Sequence, residues 1–86
     1  MYFVYFLKSL TNGKVYCGYT EKIPEQRLNE HNIGSNTWTR QNGPFKLVYY
    51  EKYNCQTDAR LRELFYKSGF GRKIRDLIIQ SVSASG

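Results

Sequence analysis

The chain opens with two segments dense in aromatic and β-branched residues, separated by a turn signal. Tyr2–Lys8 has the pattern of a strand, and the pattern resumes over Lys14–Thr20. Between them, Asn12-Gly13 favours a tight turn because both residues tolerate positive φ. The pattern therefore predicts a β-hairpin.

The register of this hairpin decides which side chains share a face of the sheet. A loop of Leu10–Gly13 sets Tyr5 opposite Gly18, and Tyr16 becomes a diagonal neighbour of Tyr5. Both tyrosines then lie on one face, since strand side chains alternate between faces. A glycine inside a strand is otherwise unfavourable, so Gly18 indicates a close approach by another group.

The middle of the chain predicts a helix, a loop and a third strand. Pro24–Ile33 combines a proline suited to a first helical position with helix-forming residues, and Gly34 is a natural stop. Residues 34–44 are rich in Gly, Ser, Asn and Pro and are expected to form a loop. Phe45–Lys52 is predicted as a strand.

The last third predicts two further helices. Thr57 can cap a helix that runs to about Ser68, with Leu61, Leu64 and Phe65 as its apolar stripe. A shorter helix then covers residues 72 to about 80.

These elements predict an α+β fold: a three-stranded antiparallel sheet flanked by helices, in the order β-β-α-β-α-α. Three strands need helices packed on them to make a stable core. The length of 86 residues allows one domain, which we place at residues 1–80. Residues 81–86 are predicted to be a flexible C-terminal tail.

Composition limits the class of protein. Hydrophobic residues make up 41% of the chain and aromatic residues 16%, which excludes a disordered protein. No apolar run approaches the roughly 20 residues that span a bilayer, and the start lacks the features of a signal peptide. We therefore expect a cytoplasmic protein with no membrane partner. Cys17 and Cys55 match no metal-binding spacing and are expected to be free thiols.

The charge is positive and unevenly distributed. The chain has 13 Lys and Arg against 7 Asp and Glu, a net charge of +6. A basic stripe suits a polyanion such as nucleic acid, although a solvated helix face would look the same. The cations of this stripe are Arg60, Arg62, Lys67, Arg72, Lys73 and Arg75, with Glu63 as the one acid among them.

Glu63 and the pair of Arg27 and His31 could carry chemistry. Arg60 and Lys67 share a helix face with Glu63, an arrangement that suits a divalent metal near a phosphate. The spacing alone favours ordinary surface salt bridges. Arg27 and His31 also share a helix face, where Arg could hold a phosphate and His could transfer a proton. The alternative is that Arg27 is an ordinary surface group and His31 lies near the helix C-terminus, where a cation is favoured.

Several segments together resemble the GIY-YIG nuclease superfamily, in particular its small stand-alone members. Phe3-Val4-Tyr5 and, about ten residues on, Tyr16-Cys17-Gly18 are similar to the two halves of the motif that names the superfamily. Arg27–Asn32 and Ala59–Glu63 fall where the family has its helix arginine and its metal-binding glutamate. The resemblance covers residues 2 to about 79.

The chain departs from the family pattern at three points. Phe3 stands where the motif has Gly, and Cys17 replaces Ile on the opposite face of the strand. Larger members also carry an Asn after the glutamate, and this chain has none after Asn54.

The resemblance implies a one-metal endonuclease that hydrolyses phosphodiester bonds in nucleic acid, with DNA favoured over RNA, in DNA repair or recombination. The implied cofactor is a single Mg²⁺ or Mn²⁺, whose protein ligand is Glu63. Arg27 would contact the scissile phosphate, and the base would be Tyr5, Tyr16 or His31, with Tyr5 preferred. The implied catalytic residues are Tyr5, Tyr16, Arg27, His31 and Glu63, with Gly18 structural.

The expected nucleic-acid contacts follow the basic residues and one tryptophan. The competing hypothesis is a non-catalytic nucleic-acid-binding module with the same fold. In either case a protein partner could supply specificity, because a chain of this length has no separate DNA-reading domain. The predicted contact residues are Lys14, Trp38, Arg40, Arg60, Lys67, Arg72 and Lys73.

Overall fold

A computed structural model describes residues 1–34 and 36–85, with the side chains described through residue 82. Within these residues the chain forms three strands and four helices. The strands are β1 (Tyr2–Ser9), β2 (Val15–Thr20) and β3 (Phe45–Tyr53). The helices are α1 (Pro24–Asn32), α2 (Thr37–Asn42), α3 (Gln56–Lys67) and α4 (Gly69–Ser85).

The strands form one antiparallel sheet in the order β2-β1-β3. Tyr5 pairs with Gly18, as the predicted loop of Leu10–Gly13 requires. The loop is closed by the Ser9 amide, which donates to the Lys14 carbonyl at 2.8 Å. Gly13 has a φ of 73°, a left-handed conformation that favours glycine. The hairpin prediction is therefore confirmed, and β2 lies at one edge of the sheet.

Each face of the sheet has its own apolar cluster because strand side chains alternate. Tyr5 and Leu7 point to the face covered by α1 and α2, where they pack with Phe45. Val4 and Phe6 point to the other face, which α3 and α4 cover. The predicted α+β fold is thus confirmed, with helices on both faces.

The predicted loop at residues 34–44 contains the short helix α2. The side chain of Asn36 begins it by accepting a hydrogen bond from the Thr39 amide at 2.9 Å. Helix α4 is also longer than the helix predicted over residues 72 to about 80. It begins at Gly69 and extends through Ser85. Of the predicted tail, residues 81–86, Gly86 lies outside the described residues. None of the described helices has the length and apolar character needed to cross a bilayer.

The predicted apolar stripe of α3 is wrong at two of its three positions, since only Phe65 packs against the core. Leu61 is 60% exposed and Leu64 is 50% exposed, whereas Ala59 and Tyr66 are fully buried against the sheet. The small side chain at Ala59 lets the helix approach closely. The Tyr66 hydroxyl donates to a carboxylate on β3, that of Glu51, which stabilises this rotation of the helix.

Candidate active site

Tyr5 and His31 form the buried floor of the site. The Tyr5 hydroxyl and His31 Nε2 share a hydrogen bond of 2.8 Å, and the two side chains are 1% and 0% exposed. Burial, and then the charge of Arg27, lower the pKa of His31 to about 4, so its imidazole is neutral at pH 7. Burial and the neighbouring Tyr16 raise the pKa of the Tyr5 phenol. Both groups are therefore uncharged and shielded from water.

Gly18 is the position where β2 passes directly over this floor. A Cβ atom there would lie 2.7 Å from the Tyr5 hydroxyl oxygen and 3.0 Å from Cε1 of Tyr16. Tyr5 cannot move aside, because it is buried and bonded to His31. Only glycine lets these two tyrosines lie this close to the strand.

Tyr16 is the half-buried member of the aromatic group. Its ring centroid is 4.7 Å from that of His31 and 6.2 Å from that of Tyr5. Its other neighbour is Trp38, at 5.6 Å. Trp38 also stacks on Phe45, so the ring has a packing role in the apolar cluster.

Arg27 approaches the same floor from α1. Its guanidinium lies beside Tyr5 and partly offsets the rise in the Tyr5 pKa. Nη1 donates to the Glu30 carboxylate at 2.7 Å, and Lys22 donates to the same carboxylate. Burial lowers the pKa of Arg27, but the interactions with Glu30 and Tyr5 together outweigh burial and raise it. The helix spacing thus brings both Arg27 and His31 against Tyr5.

A groove of about 320 Å³ runs along the free edge of β2 and joins the two faces of the sheet. Tyr16 reaches it from the α1 face, and cations from α3 and α4 reach it from the other face. We call it the β2-edge groove. Its lining residues are Val15, Tyr16, Cys17, Trp38, Lys67, Arg72 and Arg75.

Glu63 lies on α3, on the opposite face of the sheet from Tyr5. Its side chain is 14% exposed, and Oε1 is 3.4 Å from Nζ of Lys67, a lining residue of the groove. The carboxylate is also close to Cys17, where burial and then the charge of Glu63 raise the pKa of the thiol to about 12. One face of the sheet therefore carries the side chains of Tyr5, Tyr16, Arg27 and His31. Glu63 lies on the other face, where it contacts the groove-lining Lys67, and not in the cleft with these four side chains.

A metal would have few protein ligands at this site. Among the described residues, no three His, Cys, Asp or Glu side chains gather closely enough to hold one. A single carboxylate fits Mg²⁺ or Mn²⁺ nonetheless, because these ions keep several waters and take substrate phosphates as ligands. Glu63 offers the hard oxygen donor that such an ion needs.

The predicted basic stripe divides into separate groups. Lys67, Arg72 and Arg75 line the β2-edge groove, while Arg60 lines a second depression beside Tyr19. The Arg62 guanidinium is paired with Glu51 at 3.2 Å, as the Arg75 guanidinium is with Asp76 at 3.0 Å. The other predicted contact residues, Lys14, Arg40 and Lys73, are exposed.

Glu51 is a residue that the sequence analysis did not identify. Its carboxylate accepts hydrogen bonds from Tyr49 at 2.8 Å, from Tyr53 at 2.6 Å and from Tyr66. Burial raises its pKa, but these hydrogen bonds and the charge of Arg62 outweigh burial and lower it. The alternation of Tyr49, Glu51 and Tyr53 along one face of a strand is the signal that could have revealed this cluster.

Comparisons with known proteins agree with the geometry. Residues 1–75 match the GIY-YIG catalytic domain. A UPF0213 protein of Clostridium perfringens is 38% identical over 68 residues, which cover 78% of this chain and 71% of the relative. One from Bacillus licheniformis is 32% identical over 83 residues, which cover 95% and 84%. No solved structure matches. With its domain match and these relatives, the chain belongs to the GIY-YIG family.

Proposed function

We propose that this protein is a metal-dependent endonuclease that hydrolyses phosphodiester bonds in nucleic acid by a one-metal mechanism. The observation that supports this most directly is the position of Tyr16. It joins the floor of Tyr5, His31 and Gly18 to a groove lined by three cations. A phosphate backbone in that groove would pass within reach of Tyr16. DNA is the substrate that the family resemblance favours.

Tyr16 is the best placed group to orient the attacking water and accept its proton. It is half-buried and lines the groove, so a bound phosphate and its water can reach it. Tyr5 is buried and its pKa is raised, and His31 is buried behind it. We therefore assign positioning roles to Tyr5 and His31, in place of the base role that the sequence favoured for Tyr5.

Arg27 and the groove cations would hold the substrate. Arg27 is 28% exposed and lies beside Tyr5, so it can turn its free N–H groups to the scissile phosphate and offset growing charge. Lys67 and Arg72 would hold the neighbouring phosphates. Glu63 would hold Mg²⁺ or Mn²⁺, which when bound supplies Lewis-acid stabilisation of the leaving oxygen.

A non-catalytic nucleic-acid-binding module is the second candidate. The ion pair between Glu63 and Lys67 favours it, because a carboxylate that only balances a cation would show the same contact. The groove cations serve both functions equally. In either case we propose a cytoplasmic protein whose specificity comes from nucleic-acid shape or from a protein partner.

Glu63→Gln separates the two functions. The change keeps the shape of the side chain and removes the charge that attracts the metal. We expect the wild type to cut at least one of a panel of labelled duplex, single-stranded and branched nucleic acids with Mg²⁺ or Mn²⁺, and EDTA to stop it. Cleavage should be lost in Glu63→Gln while binding persists or tightens.

Glu21→Gln, an exposed acid outside the site, is the matched control and should cut like the wild type. Cleavage by Glu63→Gln at the wild-type rate would discard this metal site. No cleavage by the wild type on any substrate would favour the binding module.

A further inference from the structure

The side of α3 that points away from the sheet is apolar and exposed. Leu61 and Leu64 lie there, because Ala59 and Tyr66 on the opposite side of the helix are buried against the sheet. A single exposed leucine is ordinary on a protein surface, but here two lie within one turn of a helix. We call the surface around Leu61 and Leu64 the α3 outer face.

Leu61 forms a ridge between two depressions, of about 360 Å³ and about 340 Å³. Tyr19 of β2 lines the first depression, and Tyr53 of β3 and Phe65 line the second. The Phe65 ring lies 6.1 Å from that of Phe70, centre to centre, so the apolar surface continues onto α4. A ridge between two hollows has the shape needed to interlock with a second apolar surface.

The α3 outer face carries opposite charges on its two flanks. Asp58 and Arg60 are two residues apart, which places them about 200° apart around the helix axis, with Leu61 between them. Arg60 lines the depression beside Tyr19, and Asp58 lines the other one. Both side chains are exposed, and neither forms an ion pair with another described residue. The face therefore offers an unpaired cation on one flank and an unpaired anion on the other.

This distribution of charge fits a second copy of the same surface. A uniformly acidic partner, or a nucleic acid, would be repelled at Asp58. In a twofold-symmetric contact with the two α3 helices parallel, the flanks exchange sides, so Arg60 of each copy faces Asp58 of the other. The net charge of +6 opposes association at long range, but physiological salt screens this repulsion beyond about 8 Å.

We propose that this protein forms a twofold-symmetric dimer through the α3 outer face. Leu61 and Leu64 of the two copies pack at the centre of the contact, and Arg60 pairs with Asp58 on each flank. The apolar surface is only a few side chains wide, so the dimer should dissociate on dilution. This inference does not depend on the proposed function, because it concerns the association of the protein with itself.

The first test is sedimentation equilibrium of the full chain from about 5 µM to about 500 µM, in about 0.15 M salt. The average mass should rise with concentration from that of a monomer toward that of a dimer. Leu61→Ser combined with Leu64→Ser should weaken association at least about tenfold, because it removes the apolar centre of the contact. Leu77→Ser changes an exposed leucine of α4 that lines neither depression, and this control should associate like the wild type.

The second test reverses the charges on the flanks. Asp58→Arg and Arg60→Asp should each weaken self-association at least about tenfold, because each places like charges together on both flanks. Arg60→Asp should do so although it lowers the net positive charge of the protein. An equimolar mixture of the two variants should associate like the wild type, because every Arg then faces an Asp. Both positions are exposed, so these variants should fold, and circular dichroism checks that they do.

Three results would overturn the inference. A wild type that stays monomeric over the whole range would show that a second copy does not cover the α3 outer face. Association that survives the loss of both leucines would place the contact on another surface. A mixture of the two charge variants that stays monomeric would exclude the pairing of Arg60 with Asp58. None of these results bears on the proposed function, which is tested by cleavage.

Discussion

Tyr5 and His31 are polar side chains that the fold buries completely. One hydrogen bond joins the Tyr5 hydroxyl to His31 Nε2. The other ring nitrogen, His31 Nδ1, has no hydrogen-bond partner within the described residues. A charged imidazole at this position would be removed from water and repelled by Arg27, and these two effects outweigh the attraction of Glu30, so the fold favours the neutral form. Protonation of His31 therefore opposes folding.

The free energy of unfolding should accordingly fall on mild acidification. The folded pKa of His31, about 4, lies below the unfolded value near 6.5. A lowered folded pKa gives stability that is present above pH 6.5 and is lost as pH falls toward 4. Between pH 7 and pH 5 this loss should be about 2 kcal/mol, measured by urea denaturation.

His31 is the chain's one histidine, and ordinary carboxylates scarcely titrate between pH 5 and pH 7. The change in stability over this range therefore reports on His31. His31→Gln keeps a hydrogen-bonding group beside Tyr5 but cannot titrate, so its stability should stay nearly level from pH 7 to pH 5. An equal loss of stability in wild type and variant would show that His31 is charged or solvated in the native protein.

At the scale of elements, the Glu51 cluster joins β3 to α3. Glu51 lies on the strand, while Arg62 and Tyr66, which bond to it, lie on the helix. The Arg62 guanidinium also sits 4.6 Å from the centre of the Tyr66 ring. Since α3 carries Glu63 and Lys67, this cluster determines how both side chains approach the β2-edge groove.

Glu51→Gln should destabilise the protein by about 2 kcal/mol, because one amide oxygen cannot accept all the hydrogen bonds that the carboxylate accepts. The measurement is the free energy of unfolding at pH 7. Glu21→Gln, the exposed control, should change it by less than about 0.5 kcal/mol. A Glu51→Gln protein as stable as that control would mean that apolar packing alone holds α3.

The sequence predicts well those elements whose structure is determined by residues close together in the chain. The hairpin register follows from a short loop and the alternation of side chains, so the pairing of Tyr5 with Gly18 could be predicted. The rotation of α3 could not, because Leu61 and Leu64 are the more apolar residues. The buried contacts of Tyr66 depend on Glu51, which is distant in sequence.

The candidate site shows the same limit. Tyr5 and Tyr16 come together through strand pairing, and His31 joins them through the spacing of α1. The placement of Glu63 depends on which face of the sheet α3 covers. This face cannot be predicted from the residues of α3 alone, because it depends on contacts with strands that are distant in sequence. Helix α2 was missed because the Asn36 cap lies in a segment whose composition is typical of loops.

At the scale of the whole molecule, the described residues place positive charge at both edges of the sheet, but the depression at the β3 edge, lined by Leu47, Val48, Tyr49 and Tyr50, holds no cation. The β2 edge carries Lys67, Arg72 and Arg75 around a concave surface. The β3 strand at the other edge carries the exposed Lys46 and Lys52. With a net charge of +6, both edges attract a polyanion at long range, and close phosphate contacts should form where cations line a concave surface.

Salt dependence separates these two contributions. Nucleic-acid binding should weaken steeply with salt, since each phosphate contact releases counterions. Changing Arg72 and Lys73 together to Ala should lower the affinity for all sequences and flatten the slope of log affinity against log salt by about one unit per lost contact, measured by fluorescence anisotropy. Lys46→Ala with Lys52→Ala removes the same charge from the other edge and should leave the slope nearly unchanged. Equal effects of the two double variants would mean that net charge, and not the β2-edge groove, binds nucleic acid.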